Sequence, residues 1–255
     1  MPDIKISIIA AAIRTQFFKT FLDSLKSTSV AFEVVFGGHC TPEEIKPFLD
    51  EYPFFRYIHT GFVKPAQVYE VCRRAAIGEL ISWSADDCEH TEDLYGKAYA
   101  FWKDLKDEKV LLSIQTFENG QFCNMNHHAF FGWNTKTPIM APLGMMSRSY
   151  LEQLGGFDRR YVCGQYENSV AMCVYADGGR VVIFGDLGNR VDIDHYRKHG
   201  IKRPFATGYN TDREVLESSW TDGNKHCVMQ RVDKHEPYDD KDILTVSQSN
   251  KGQWS

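Results

Sequence analysis

The chain has 255 residues, 43% of them hydrophobic and 25% charged, with a formal net charge of -5. That length fits one large domain or two small ones and can bury a substantial core. The mild acidity argues against nonspecific nucleic-acid binding, which needs a basic surface, and no apolar run approaches the roughly 20 residues of a membrane-spanning helix.

Met1 leads directly into an apolar IKISIIAAAI segment with no cationic region before it, so no secretory signal is expected. The seven cysteines are scattered and form no CxxC pair. This pattern speaks against a structural zinc site and for a reducing, cytoplasmic location, with peripheral association at a membrane left open. Several cysteines are expected to serve as small buried apolar residues.

In chain order, Ile4 to Ala11 reads as a buried first strand. Gln16 to Lys26 follows as a helix whose Phe17, Phe18, Phe21, Leu22 and Leu25 share one face. Phe32 to Phe36 is a second strand, ended by Gly37 and Gly38. Thr41-Pro42-Glu43-Glu44 starts a helix, with Thr as N-cap and the acids at the positive end of the dipole. Phe54 to His59 is a third strand. Pro65 opens a helix that Gly78 is expected to end, and Leu80, Ile81 and Trp83 form a short fourth strand.

This β-α-β-α-β-α-β alternation predicts an α/β fold with an open, mostly parallel sheet covered on both faces. The second half is less regular. Asp93 to Leu105 reads as a helix, Lys109 to Thr116 as a strand, and Phe117 to Thr137 as a long loop or small hairpin. Pro138 to Met146 is strand-like, Ser149 to Leu154 and Tyr166 to Ala176 are helical, and Arg180 to Phe184 is a late strand. From about Arg203 the chain turns polar, and its last dozen residues look like a tail.

The fourth strand stops on Asp86 and Asp87, followed by Glu89 and His90. Adjacent carboxylates raise each other's pKa unless a counter-charge is present. A divalent cation supplies one, and hard oxygen ligands suit Mg2+ or Mn2+. The alternative is a solvated turn that caps the next helix. Ligands of open α/β sheets bind beyond the carboxyl ends of the strands, which is where this pair falls.

Three blocks, ISIIAAAIR, AAIGELISWSADD and LEQLGGFDRRYVCGQYENSVAMCVYADGG, together resemble the family 2 glycosyltransferases of the GT-A fold, over roughly residues 4 to 197. The resemblance implies a Rossmann-like sheet with a smaller acceptor-side part. It implies transfer, with inversion, of a sugar from a nucleotide-diphosphate donor to a glycan or other hydroxyl acceptor, and a metal held by the acidic motif. Residues 1-90 would be the nucleotide-binding half, 91-205 the acceptor half, and 206-255 a polar extension.

Carried over residue by residue, the resemblance places Asp87 on the metal and Asp86 near the nucleotide ribose. His195 matches a histidine close to the metal, with Asp192 and Asp194 as nearby substitutes. Glu167 falls where the family carries an acidic pair facing the acceptor, and an inverting transfer needs a general base. This chain has Asn168 at the second position, so Glu167 would have to be that base. Arg14 and Lys64 would approach the donor. Gly37-Gly38-His39 replaces the family's usual base-reading Asp, leaving the backbone at Gly38 as a donor contact. Gly156 and Asp158 match the acceptor-side turn, where Asp158 suits stabilising the turn better than touching sugar. Trp133 and Phe131 could stack on a sugar ring or belong to the core. His127, His128 and Cys123 fit no metal signature.

Two other readings stand beside this one. A nucleotidyltransferase would carry a glycine-rich basic loop after the first strand, and AAAIRTQ is not one. A catalytically inactive GT-A module that binds a sugar nucleotide or a partner is favoured by Asn168 and by the missing base-reading Asp.

Overall fold

The computed structural model describes residues 3–118, 120–123, 138–193, 209–224, 227–241 and 243–244. Its first half alternates β1 (Ile6–Ala11), α1 (Thr15–Ser24), β2 (Phe32–Gly38), α2 (Pro42–Glu51), β3 (Phe55–His59), α3 (Pro65–Ala75) and β4 (Leu80–Trp83). β1 pairs in parallel with both β2 and β4, and β3 continues the sheet beyond β2. Consecutive residues such as Ile8 and Ile9, or Val34, Val35 and Phe36, are fully buried. A parallel sheet covered on both faces requires such continuous apolar strands. Phe18 and Phe21 of α1 close one face edge-on against Phe36, with ring centroids 5.1 and 4.9 Å away. The start of α2 is a capping box: Thr41 Oγ1 accepts from the Glu44 N–H, and Glu44 accepts from the Thr41 N–H at 2.7 Å.

The second half comprises β5 (Glu89–His90), α4 (Leu94–Asp104), β6 (Val110–Ile114), β7 (Thr116–Glu118), β8 (Gln121–Cys123), β9 (Gly144–Ser147), α5 (Arg148–Gln153), α6 (Tyr166–Ala176), β10 (Arg180–Phe184), β11 (Val191–Ile193) and α7 (Tyr209–Trp220). The main sheet has the order β10-β6-β9-β4-β1-β2-β3, and only β9 runs against its neighbours. A small sheet, β5-β11-β7-β8, stands beside it. Among the described residues no helix is long and apolar enough to cross a membrane. Cys40, Cys72 and Cys88 are buried and unbridged, as small apolar residues would be.

Four details differ from the sequence expectation. The strand expected over Lys109 to Thr116 breaks at Gln115, whose N–H donates to Phe184 and whose carbonyl accepts from Val191. Each half therefore joins a different sheet. Residues 138–143 lie outside any strand, because the Met140 and Ala141 carbonyls accept from the Ser113 hydroxyl and the Trp83 indole. Helix α3 ends at Ala75, before Gly78. Gly78 instead admits the start of β4 beside β1, where a Cβ would fall 2.6 Å from the Ser7 nitrogen. The polar stretch after Arg203 contains helix α7, which buries Leu216 and Trp220.

Candidate functional site

Because β1 and β4 run in parallel, the turns that follow them lie side by side at one end of the sheet. Asp86 sits in the second turn and is almost wholly buried. Its Oδ2 accepts from the backbone N–H groups of Ile13 (3.0 Å) and Arg14 (2.9 Å), at the start of α1. Its Oδ1 accepts from Arg14 Nε at 2.9 Å and from a second guanidinium nitrogen. That same nitrogen pairs with Asp87. Arg14 thus supplies the counter-charge that two adjacent acids at a strand end require. Burial raises the Asp86 carboxyl above its ordinary range; Arg14 opposes this and Asp87 adds to it. Burial also works against the Arg14 charge, but the two carboxylates outweigh it and the guanidinium is held protonated.

The fit to a divalent metal follows from this division of labour. Both Asp86 oxygens are filled by N–H donors, so a hard cation at the strand end would take its oxygen from Asp87, in competition with Arg14. Among the described residues no group of three or more His, Cys, Asp or Glu side chains is arranged to hold a metal. A metal on Asp87 would complete its shell from a diphosphate, water, or residues outside that set. His195 lies outside the described residues. Strand β11, which precedes it, pairs antiparallel with β5, Val191 opposite His90 and Asp192 opposite Glu89. β11 therefore advances along β5 in the direction of Asp87. Asp192 itself accepts from Arg190 at 3.0 Å.

A second carboxylate lies across Tyr69. The Tyr69 hydroxyl donates to the Ser84 carbonyl at 2.7 Å, two residues before Asp86. Its ring lies 4.7 Å from that of Tyr166, the residue before Glu167. Burial raises the Tyr69 phenol, and the charges of Asp86 and Glu167 both add to the shift. Glu167, in the first turn of α6, is half-buried, and its Oε2 is enclosed with no hydrogen-bond partner among the described residues. Burial first, and the charge of Asp212 after it, push its carboxyl up to about 7, against the pull of backbone hydrogen bonds. The adjacent Asn168 is buried and donates to Gln165 Oε1 at 2.9 Å, which gives it a structural task.

The remaining expected positions divide into packing roles and positions not described. A Cβ on Gly38 would fall 2.6 Å from the Ala12 carbonyl and 2.5 Å from Tyr57 Oη. Glycine there lets the end of β2 close against the turn that carries Arg14. Lys64 is the half-buried N-cap of α3. Gly156 has φ +71°, and a Cβ would fall 2.6 Å from Glu70 Oε2. Asp158 is buried, takes Arg160 at 2.8 Å and Arg231 at 2.6 Å, and so ties its turn to the C-terminal segment. Trp133, with Phe131, His127 and His128, lies outside the described residues. Sequence reasoning missed Tyr69, which reads as one more apolar position of α3, and Asp212, hidden in a polar stretch.

No protein-family model and no curated protein matches the sequence. Solved structures do match. S. aureus TarS 1–349 superposes with a TM-score of 0.61 at 16% identity, covering 76% of this chain and 61% of that one. GalNAc-T7 with UDP, GalNAc and Mn2+ gives 0.65 at 16% identity, covering 88% and 49%. The mannosyltransferase PcManGT from Pyrobaculum calidifontis, in complex with GDP-Man and Mn2+, gives 0.56 at 18% identity, covering 76% and 56%. The chain spans about three fifths or less of the length of these structures. At such identities the likeness is one of architecture, consistent with the seven-stranded, mostly parallel sheet described above: the chain has the GT-A fold.

Proposed function

We propose that the chain is a metal-dependent inverting glycosyltransferase, moving a sugar from a nucleotide-diphosphate donor to an acceptor hydroxyl. One observation carries the reading: the Glu167 carboxyl, its Oε2 enclosed without a hydrogen-bond partner among the described residues, lies next to Tyr69, whose hydroxyl donates to the Ser84 carbonyl in the turn that leads to the acid pair at the carboxyl end of β4. A general base works best when its pKa lies near the working pH. The neighbours add support, since TarS has been solved with UDP-GlcNAc and PcManGT with GDP-Man and Mn2+.

In this reading Asp87 and His195 hold Mn2+ or Mg2+. When bound, the metal takes up charge on the diphosphate leaving group as a Lewis acid. Asp86 orients the turn at Arg14, whose guanidinium faces the donor's phosphates. Gly38 and Lys64 line the nucleotide side. Glu167 takes the proton from the attacking hydroxyl. Gly156 and Asp158 set the shape of the acceptor-side turn, and Trp133 stacks on the acceptor. Residues 1-90 then form the donor half, 91-205 the acceptor half, and 206-255 an extension whose helix α7 packs beside α6. The unbridged cysteines suit a reducing, cytoplasmic setting.

Asn168 favours a second reading, an inactive GT-A module that binds a sugar nucleotide without transferring it. Hydrolysis of UDP-GlcNAc or GDP-mannose with Mn2+ separates the two. A slow release of nucleotide, abolished by EDTA and by Glu167→Gln, supports the enzyme. Metal-dependent binding with no turnover of either donor supports the inactive module.

A further inference from the structure

Helix α6 begins in an unusual way. Its N-cap, Gln165, has φ +63°, a left-handed conformation that a residue with a side chain rarely adopts. Such a conformation persists only when its surroundings over-determine it. On the helix side, the Asn168 amide donates to Gln165 Oε1 and the Ser169 N–H to the Gln165 carbonyl, each at 2.9 Å. On the other side lies the turn 162–164, whose backbone N–H groups belong to no strand or helix.

All three of those N–H groups converge on one side chain from α7. Asp212 Oδ1 accepts from Val162 at 2.7 Å, and Oδ2 accepts from Cys163 and Gly164 at 2.8 Å each. Asp212 is completely buried. The Val162 carbonyl in turn accepts from the Ala66 N–H at the start of α3, at 2.8 Å. The turn is therefore gripped between α3, which carries Tyr69, and α7. Three N–H donors on one carboxylate are charge-assisted hydrogen bonds, stronger than neutral pairs.

We propose that Asp212 is a positioning residue, a clamp in α7 that holds the turn 162–164 and thereby fixes the first turn of α6 and the Glu167 carboxyl. The inference rests on the reading of Glu167 as the base. It assigns the polar C-terminal stretch a part in building the site. Among the described residues, the titratable groups close enough to Glu167 to share its field are Asp212 from α7, Tyr69 from α3, and Cys163 and Tyr166 from the segment leading into it. Loss of Asp212 therefore loosens the carboxyl and also removes a negative charge beside it.

The substitution Asp212→Asn keeps the shape but turns an amide donor toward N–H donors. The test combines amide hydrogen exchange on the full chain with turnover of UDP-GlcNAc and of GDP-mannose in Mn2+. In the unaltered protein the Val162, Cys163 and Gly164 amides should exchange at least about 100-fold more slowly than open-turn amides, in line with sub-global opening. Asp212→Asn should release those three while leaving β1 and β4 protected. It should lower kcat about 10- to 100-fold, the scale of a displaced catalytic group, with the donor KM unchanged. In a Glu167→Gln background the same change should cost less than about twofold, because both act through one group. Free exchange of the three amides in the unaltered protein overturns the clamp without need of any variant. A full, additive loss in the Glu167→Gln background overturns its action through Glu167. If Glu167→Gln itself turns over at the normal rate, the base reading falls, and the exchange pattern alone upholds or overturns the clamp.

Discussion

Asp86 holds Arg14 by main chain and side chain together: one carboxylate oxygen takes the Arg14 N–H and the other its guanidinium. The guanidinium then reaches Asp87. Asp86 thus has a structural task, and Asp87, held through Arg14 alone of these contacts, is the acid proposed to meet a cation. Asp86→Asn should destabilise the fold by about 3–5 kcal/mol, the range for breaking a buried charge pair. Urea denaturation would measure it, and Asp87→Asn should cost clearly less. Equal losses for the two would contradict the division.

The proposed metal site makes a separate prediction. Asp87→Ala should abolish Mn2+-dependent nucleotide binding while leaving the circular dichroism spectrum unchanged. His195→Ala should weaken Mn2+ binding, read by titration of the Mn2+ electron paramagnetic resonance signal. An unaltered titration in either variant would remove that residue from the site.

Glu167→Gln should leave donor affinity intact and cut transfer about 100-fold or more, the usual scale for a lost general base. The pH profile follows from the same group. Glu167 acts as a base only when ionised, so kcat/KM should rise with pH through about 7 and then level. An acid limb near 4.5 would place the base elsewhere.

The same raised pKa has a cost in stability. A carboxyl whose folded pKa lies above its unfolded value binds its proton more tightly when folded. It therefore costs nothing below about pH 4.5 and destabilises increasingly as pH rises to about 7. Glu167→Gln removes that cost, so it should stabilise the protein by up to about 3 kcal/mol at pH 8 and by almost nothing at pH 4. Thermal unfolding at the two pH values checks the sign; destabilisation at pH 8 would contradict it.

The first 90 residues were legible in the sequence because each of their signals is local. The runs IKISIIAA and FEVVF, and the capping box at Thr41, report their own secondary structure. The acid pair announced itself as two like charges after a buried strand, but its counter-ion did not. Arg14 is 72 residues from Asp86 along the chain, and only the parallel pairing of β1 with β4 brings them together. The rest of the chain was harder for the same reason. Asp212 stands among Tyr, Asn, Thr and Arg and carries no pattern of its own; its task lies in three backbone N–H groups about 50 residues earlier. The break at Gln115 is likewise set by partners in two sheets and by nothing in the run VLLSIQTF itself.

Calorimetric titration with UDP, GDP, CDP and dTDP, each with and without Mn2+, is the decisive test of a metal-dependent nucleotide-sugar site at Asp87. One nucleotide should bind, EDTA should abolish the heat, and Asp87→Ala should do the same. Binding of none of the four, or binding indifferent to both Mn2+ and Asp87→Ala, would contradict it.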